Sequence, residues 1–210
     1  NVPPAPTLLV RLPYSKDLPG LLGYGLVPNL FALVEAGYAV VYQDCRGTFR
    51  SAGDFTPMLT EADDGADTVA WVLDQPWCDG AIGTYGPSYL GFVQWASVTA
   101  SDRVRAIAPC VTTTDYYTTP WYSEGGAVSW HTIQSWSTQM ALVEAIRRGD
   151  GELIGGLGAM VAEPEPHLAA LPPSHQPLLE KMWPWWSELL EHPARDQFWL
   201  MLPTRRISPL

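Results

Sequence analysis

Cysteine is scarce in this chain of 210 residues: Cys45, Cys78 and Cys110 are three, an odd number, with no C-x-x-C spacing. That argues against a disulfide framework and a zinc site, and it reads as reduced thiols, for which the cytoplasm is the default compartment. Positive charge is scarce too. Twelve Lys and Arg stand against 22 Asp and Glu, a net charge of −10 at pH 7. So acidic a chain is repelled by phosphate backbones and anionic headgroups, which argues against nucleic acid and membrane surfaces as partners. No stretch approaches the roughly eighteen uncharged apolar residues of a membrane-spanning helix, and nothing after Asn1 has the basic-then-apolar order of a signal peptide. Asn1 in place of an initiator Met leaves a removed leader open. Internal repeats are missing as well. The acidic cluster Glu61, Asp63, Asp64 and Asp67 lacks the pattern of an ion-binding loop and reads as a solvated helix face. No cofactor or metal is implied.

What the chain has in quantity is apolar surface. Hydrophobic residues make up 47% of it and charged residues 16%, enough for a real core in one domain, or one domain carrying a large insertion. After a Pro-rich lead-in, Thr7-Leu8-Leu9-Val10-Arg11-Leu12 runs apolar on both faces and stops at Pro13, the pattern of a central parallel strand. A glycine-rich loop through Gly25 leads to a helical stretch from Pro28 to Ala36, closed by Gly37. Tyr38 to Asp44 is the next strand. Thr60-Glu61-Ala62-Asp63-Asp64 opens a helix through Leu73, with carboxylates at its positive end. Gln75 to Gly80 connects to a third strand, and a helix from Tyr89 to near Thr99 precedes a fourth, Val104 to Cys110. Strand and helix alternate, which predicts an α/β fold with a mostly parallel sheet flanked by helices.

From residue 111 the alternation stops. Helical stretches near Val128–Gly149 and Pro177–Glu191 follow without a strand pattern, so 1–110 reads as the first part of the sheet domain, 111–195 as an inserted helical cap and 196–210 as the return to the sheet. The Gly/Pro-rich segment 151–177 is expected to be the loosest part of the cap. Seven of the ten tryptophans fall between 121 and 199. Trp183, Trp185 and Trp186 are expected to pack cap on core, whereas for Trp121, Trp130 and Trp136 packing and substrate contact both stay open.

The stretch that organises the rest is Ala81 to Ala96, where a short apolar strand meets a glycine-flanked serine and then a small-residue helix. This is a nucleophile elbow. Ser88 sits on a tight strand-to-helix turn, and Gly86 and Gly91 lack the Cβ that would strike the neighbouring strand and helix. Such a turn also aims the first N–H groups of the helix at the place where negative charge develops on a reacting carbonyl. The pattern here is G-x-S-Y-x-G, with Leu90 where the commoner G-x-S-x-G has glycine.

The elbow belongs to a series of blocks. Leu9-Val10-Arg11-Leu12-Pro13-Tyr14-Ser15-Lys16, Gly37 to Gly47, Trp77-Cys78-Asp79-Gly80, Gly86-Pro87-Ser88-Tyr89-Leu90-Gly91 and Pro120-Trp121-Tyr122 occur in an order and spacing that resembles the cocaine esterase and X-Pro dipeptidyl-peptidase family of α/β-hydrolases, closest to the cocaine esterase branch. The resemblance covers most of the chain. It implies an α/β-hydrolase fold with an inserted helical cap, Ser88 as nucleophile, and an oxyanion hole made by the Tyr14 hydroxyl and the Tyr89 N–H. It implies Trp121 and Trp136 as walls of the acyl pocket. Asp44 and Arg46 also match a family motif and read as a pair that holds the loop beside the nucleophile.

In this hydrolase order the acid and the histidine follow the serine. The family's acid comes just after a strand that begins like Ile207-Ser208-Pro209-Leu210, and none of His131, His167, His175 and His192 stands in a family motif. The chain therefore reads as an internal piece of a longer hydrolase, with a base recruited from the cap, such as His131 with Asp115, as the alternative. The leading activity is hydrolysis of a small-molecule ester through an acyl-enzyme on Ser88. X-Pro dipeptide or amide cleavage is the near alternative, with Glu124 or Asp115 available to hold a substrate amine. The rival from another class is a non-catalytic binding module on the same scaffold. A homo-oligomer stays open.

Overall fold

The computed structural model describes residues 3–17, 28–123, 125–170, 172 and 175–203. The proposed amine-holding Glu124 and the strand beginning at Ile207 lie outside the described residues. The chain forms two compact units, one built on the sequence up to Thr114 and taken up again at Leu202, the other spanning Asp115–Met201.

The first unit is built from β1 (Ala5–Leu12), α1 (Leu30–Glu35), β2 (Ala39–Asp44), α2 (Glu61–Leu73), β3 (Cys78–Pro87), α3 (Tyr89–Ala100) and β4 (Val104–Cys110). The strands are parallel in the order β2-β1-β3-β4, so β1 lies inside the sheet as its apolar run requires. The two-residue period of a strand divides that run between two cores. Val10 and Leu12 pack with Tyr85 and Leu90 on one face, while Leu9 packs with Val69, Val72 and Ile82 on the other. β3 begins earlier than the sequence suggests: Cys78 pairs with Ala5, and a register shift follows before Thr7 meets Ile82.

Register sets what stands at the carboxyl edge. Leu12 lies opposite Asp44 and Pro87 opposite Cys110, so the loops carrying Tyr14, Arg46, Ser88 and Val111 all leave the sheet along one rim, where open parallel sheets bind ligands. The helices fit closely. A Cβ on Gly65 of α2 would come within 2.5 Å of Ser97 Oγ on α3, so glycine there lets the two helices approach.

The acidic stretch that opens α2 is solvated only in part: Asp63 and Asp67 are exposed, whereas Asp64 is half-buried and Glu61 turns inward. Glu61 is 1% exposed. Its carboxylate meets the buried Arg11 guanidinium at 2.8 Å, and its backbone carbonyl accepts from Arg11 Nη1 at 2.9 Å. Asp64 pairs with Arg46. Carboxylates there serve two arginines as well as the helix end. The expected Asp44–Arg46 pairing is corrected at the same time: Asp44 accepts from the backbone N–H of Lys16 (2.7 Å) and of Arg50 (3.4 Å), while Arg46 reaches across to α2.

The second unit is helical, with α4 (Trp130–Arg148), α5 (Gly151–Ala162), α6 (Glu165–Leu168), α7 (Pro177–Met182), α8 (Trp185–Leu190) and α9 (Gln197–Leu200) following an irregular turn at Tyr117–Trp121. Much of the segment expected to be loosest is the regular helix α5. Asp150 caps it by accepting from the Leu153 N–H, and Leu153, Leu157 and Met160, spaced at three and four residues, are buried. Glycine count masked that stripe. The tryptophans form the core of this unit: Trp121, Trp136 and Trp185 meet pairwise at 5.1–5.4 Å between ring centroids, and Trp130 packs on Trp186 at 5.2 Å. Trp183, Trp185 and Trp186, expected to seat cap on core, pack on tryptophans of their own unit.

Candidate active site

Ser88 joins β3 to α3 with φ 56° and ψ −123°, a backbone region that non-glycine residues enter only under constraint, and it is exposed. Three backbone hydrogen bonds hold it. Its N–H donates to Cys110 O on β4 (3.0 Å), and its carbonyl accepts from the N–H groups of Gly91 (2.9 Å) and Phe92 (3.0 Å). The two glycines of the motif serve different contacts. Gly86 has φ +134°, and a Cβ there would fall 2.7 Å from Leu90 Cβ; a Cβ on Gly91 would fall 2.5 Å from Thr112 Cγ2. The approach of Thr112, just past β4, is what requires the second glycine at 91 while Leu90 occupies the place where the commoner motif has glycine.

Strain of this kind costs about 1–3 kcal/mol and persists only where the surroundings enforce it. Much of that enforcement comes from Gln94, 1% exposed, which the sequence reading passed over. Its Nε2 donates to Gly86 O (3.1 Å) and Leu90 O (2.9 Å), and its Oε1 accepts from Ala108 N (2.9 Å) and Thr84 Oγ1 (3.3 Å). One amide thus uses both its donors and both its acceptor sites to bind β3, β4 and the first turn of α3 together. Its one trace in the sequence is a lone amide in the otherwise apolar stretch Leu90–Ala96, which does not name its partners.

Tyr14 stands two residues beyond β1, half-buried against the cluster of Val10, Leu12, Tyr85 and Leu90. Its loop is pinned by the Lys16 N–H to Asp44 bond. In the same cluster the hydroxyls of Tyr42 and Tyr85 meet at 2.8 Å; burial and that partner push the Tyr85 phenol pKa up, so that ring stays neutral.

Tyr89 opens α3, with its N–H in the first turn. Its side chain runs inward, 3% exposed, between the rings of Phe55 and Phe92. The hydroxyl donates to Glu61 Oε1 (2.9 Å) and accepts from the Met58 N–H (2.9 Å). Burial, then the Glu61 carboxylate, raises this phenol's pKa well above the ordinary value, which keeps its proton on the donor side of the bond. The neighbouring Cys45 thiol is raised by the same two causes and stays neutral.

In the second unit Trp121 is 4% exposed and Trp136 half-buried. Asp115 accepts from the Tyr117 N–H (3.1 Å) and pairs with Arg195, while His131 lies exposed on α4. A histidine–carboxylate pair that spacing alone did not reveal joins His192 Nδ1 to Asp196 Oδ2 at 2.6 Å. The hydrogen bond to His192 holds the Asp196 carboxyl below its usual range. Asp196 also caps α9 through the Phe198 N–H (3.0 Å), and the imidazole stacks on Phe198, so the pair closes the turn between α8 and α9. Among the described residues no group of three or more His, Cys, Asp or Glu is placed to hold a metal, and no helix is long and apolar enough to cross a membrane.

Residues 1–207 match the family described as X-Pro dipeptidyl-peptidase (S15 family). The chain is 37% identical over 204 residues to the cocaine esterase of Rhodococcus sp. (strain MB1 Bresler), covering 93% of this chain and 35% of that protein. Among solved structures it resembles an aminopeptidase from a marine-sediment thaumarchaeon, with a TM-score of 0.66 at 21% identity over 99% of this chain and 36% of that one. It also resembles a CocE/NonD family hydrolase from Staphylococcus aureus, with a TM-score of 0.65 at 22% identity over 96% of this chain and 33% of that one. The fold is that of the α/β-hydrolases, and the chain spans about a third of the length of these relatives.

Proposed function

Because the chain belongs to the X-Pro dipeptidyl-peptidase (S15) family, a family of esterase and peptidase hydrolases, we propose that it is the nucleophile-bearing part of a serine hydrolase that cleaves small carboxylic esters. The observation that carries this is the conformation of Ser88: a strained, exposed serine between β3 and α3, bonded to Cys110 O and flanked by the Gly86 and Leu90 carbonyls that Gln94 holds, has no packing role that would explain its strain. In the proposed reaction Ser88 Oγ attacks the ester carbonyl and forms an acyl-enzyme while the alcohol leaves; water then releases the acid. The base and its carboxylate partner are assigned to the rest of the parent protein. The Tyr89 N–H and the Tyr14 hydroxyl receive the oxyanion. Small-molecule esters are proposed over X-Pro peptides because of the 37% identity to a cocaine esterase. A cytoplasmic setting is proposed on the three free cysteines.

The test is to treat the complete protein with a fluorophosphonate probe and map the label. Labelling of Ser88 is expected; label elsewhere, or none while ester turnover persists, overturns the assignment. Tyr14→Phe is expected to lower kcat about 10²- to 10³-fold with KM little changed, since the hydroxyl acts on charge that exists only in the transition state. A change confined to KM would move Tyr14 to ground-state binding.

Trp121 and Trp136 are proposed as the residues that choose the acyl group. Trp136→Ala, at the less buried of the two, is expected to reduce kcat/KM for bulky aromatic acyl esters at least 10-fold more than for acetyl esters. Trp121→Ala removes a buried ring from the tryptophan core and is expected to cost about 3–5 kcal/mol of stability besides. Equal kinetic losses on large and small esters would leave both as packing residues.

A further inference from the structure

Both proposed oxyanion donors are tied to a single buried ion pair. Arg11 lies near the end of β1, three residues before Tyr14; 3% exposed, it gives Nη2 to the Glu61 carboxylate (2.8 Å), Nη1 to the Glu61 carbonyl (2.9 Å) and Nε to Gln43 Oε1 (3.0 Å). Glu61 in turn receives the hydroxyl of Tyr89, the residue whose N–H faces the reacting carbonyl in the proposed mechanism. The same hydroxyl takes the Met58 N–H, and Met58 sits at φ 70°, buried, at the end of the loop that returns from Asp44. A tyrosine that only filled space at this position would not need its hydroxyl satisfied twice, on one side by a carboxylate whose own charge is held by a buried guanidinium.

We propose that Glu61 and the Tyr89 side chain are positioning residues for the oxyanion hole: the relay Arg11–Glu61–Tyr89 fixes the peptide that begins α3 relative to the end of β1, and so sets the separation of the Tyr89 N–H from the Tyr14 hydroxyl. The inference rests on the hydrolase reading above. It makes the elbow doubly held, with Gln94 fixing the carbonyls of Gly86 and Leu90 on either side of Ser88 and Glu61 fixing the side chain of the residue between them. Small displacements matter here, because misplacing a reacting group by about 1 Å can cost on the order of 10²-fold in rate.

The experiment uses the complete protein and an activated ester substrate. Tyr89→Phe keeps the ring between Phe55 and Phe92 and removes only the hydroxyl; Glu61→Gln keeps an acceptor and removes the charge. For Tyr89→Phe kcat is expected to fall about 10- to 100-fold with KM within about threefold of wild type, and the rate of fluorophosphonate labelling at Ser88 to fall in parallel. Glu61→Gln is expected to give a smaller loss of the same kind. Combining Tyr89→Phe with Tyr14→Phe is expected to cost less than the product of the single losses, because both act on one oxyanion. If Tyr89→Phe lowers the melting temperature but leaves kcat per folded molecule at the wild-type value, the side chain is structural and the proposal fails. If Ser88→Ala keeps its activity, it is the hydrolase reading that fails, and the two results are read from separate variants.

Discussion

Ser88→Ala in the complete protein is expected to abolish ester turnover, by on the order of 10⁶-fold in kcat, while leaving the folded state intact. The size follows from what remains. Without the hydroxyl no acyl-enzyme forms, and the oxyanion donors and binding surface retain only about 10³- to 10⁴-fold over uncatalysed hydrolysis. Stability should change little, since the Ser88 contacts with Cys110, Gly91 and Phe92 are all made by backbone atoms that alanine keeps. Alanine would also take up the same φ of 56° at comparable strain, so the elbow itself survives. Turnover and a urea unfolding curve measured on the same preparation check both halves. A variant holding more than a few per cent of wild-type turnover would remove Ser88 from the mechanism.

The second large effect is expected in stability. Arg11→Met removes two hydrogen bonds and an ion pair from a buried site and leaves the Glu61 carboxylate, 1% exposed, without its cation. Breaking a buried pair by deleting one partner costs about 3–5 kcal/mol, most of it the penalty of the charge left behind. Urea unfolding should therefore show a fall of that order. The double variant Arg11→Met with Glu61→Gln should recover at least half of the loss, because a neutral amide in place of the carboxylate no longer needs a counter-charge. A single-variant loss below about 1 kcal/mol would mean that the carboxylate reaches water once the arginine is gone.

How far these features could be read beforehand differs from residue to residue. β1 was legible because its apolar run shows both faces, and β3–Ser88–α3 because few other sequences need glycine two before and three after a serine. Glu61 was not. A carboxylate in the first turn of a helix is ordinarily explained by the helix dipole, and its partner Arg11 lies fifty residues away inside a strand where an arginine looks like a misfit. Gln94 was hidden for a similar reason, since its bonds reach Thr84 and Ala108 on two different strands. The pairing of Arg46 with Asp64 instead of Asp44 depends on how the loop folds back onto α2, which adjacency in sequence misstates. Long-range polar partners are the part that local pattern cannot supply. The helix α5 shows the converse error, where composition spoke louder than a three-residue stripe.

Gly155 and Gly158 of α5 face open space, and only Gly156 is pressed by a neighbour, Leu178. Each unconstrained glycine weakens a helix by roughly 0.5–1 kcal/mol relative to alanine. α5 therefore borrows its helicity from Leu153, Leu157 and Met160 and has little of its own. If those three side chains loosen, the whole segment lets go as a unit, and its amide protons become open to exchange with solvent while those of α4, whose interior has no glycine, stay protected.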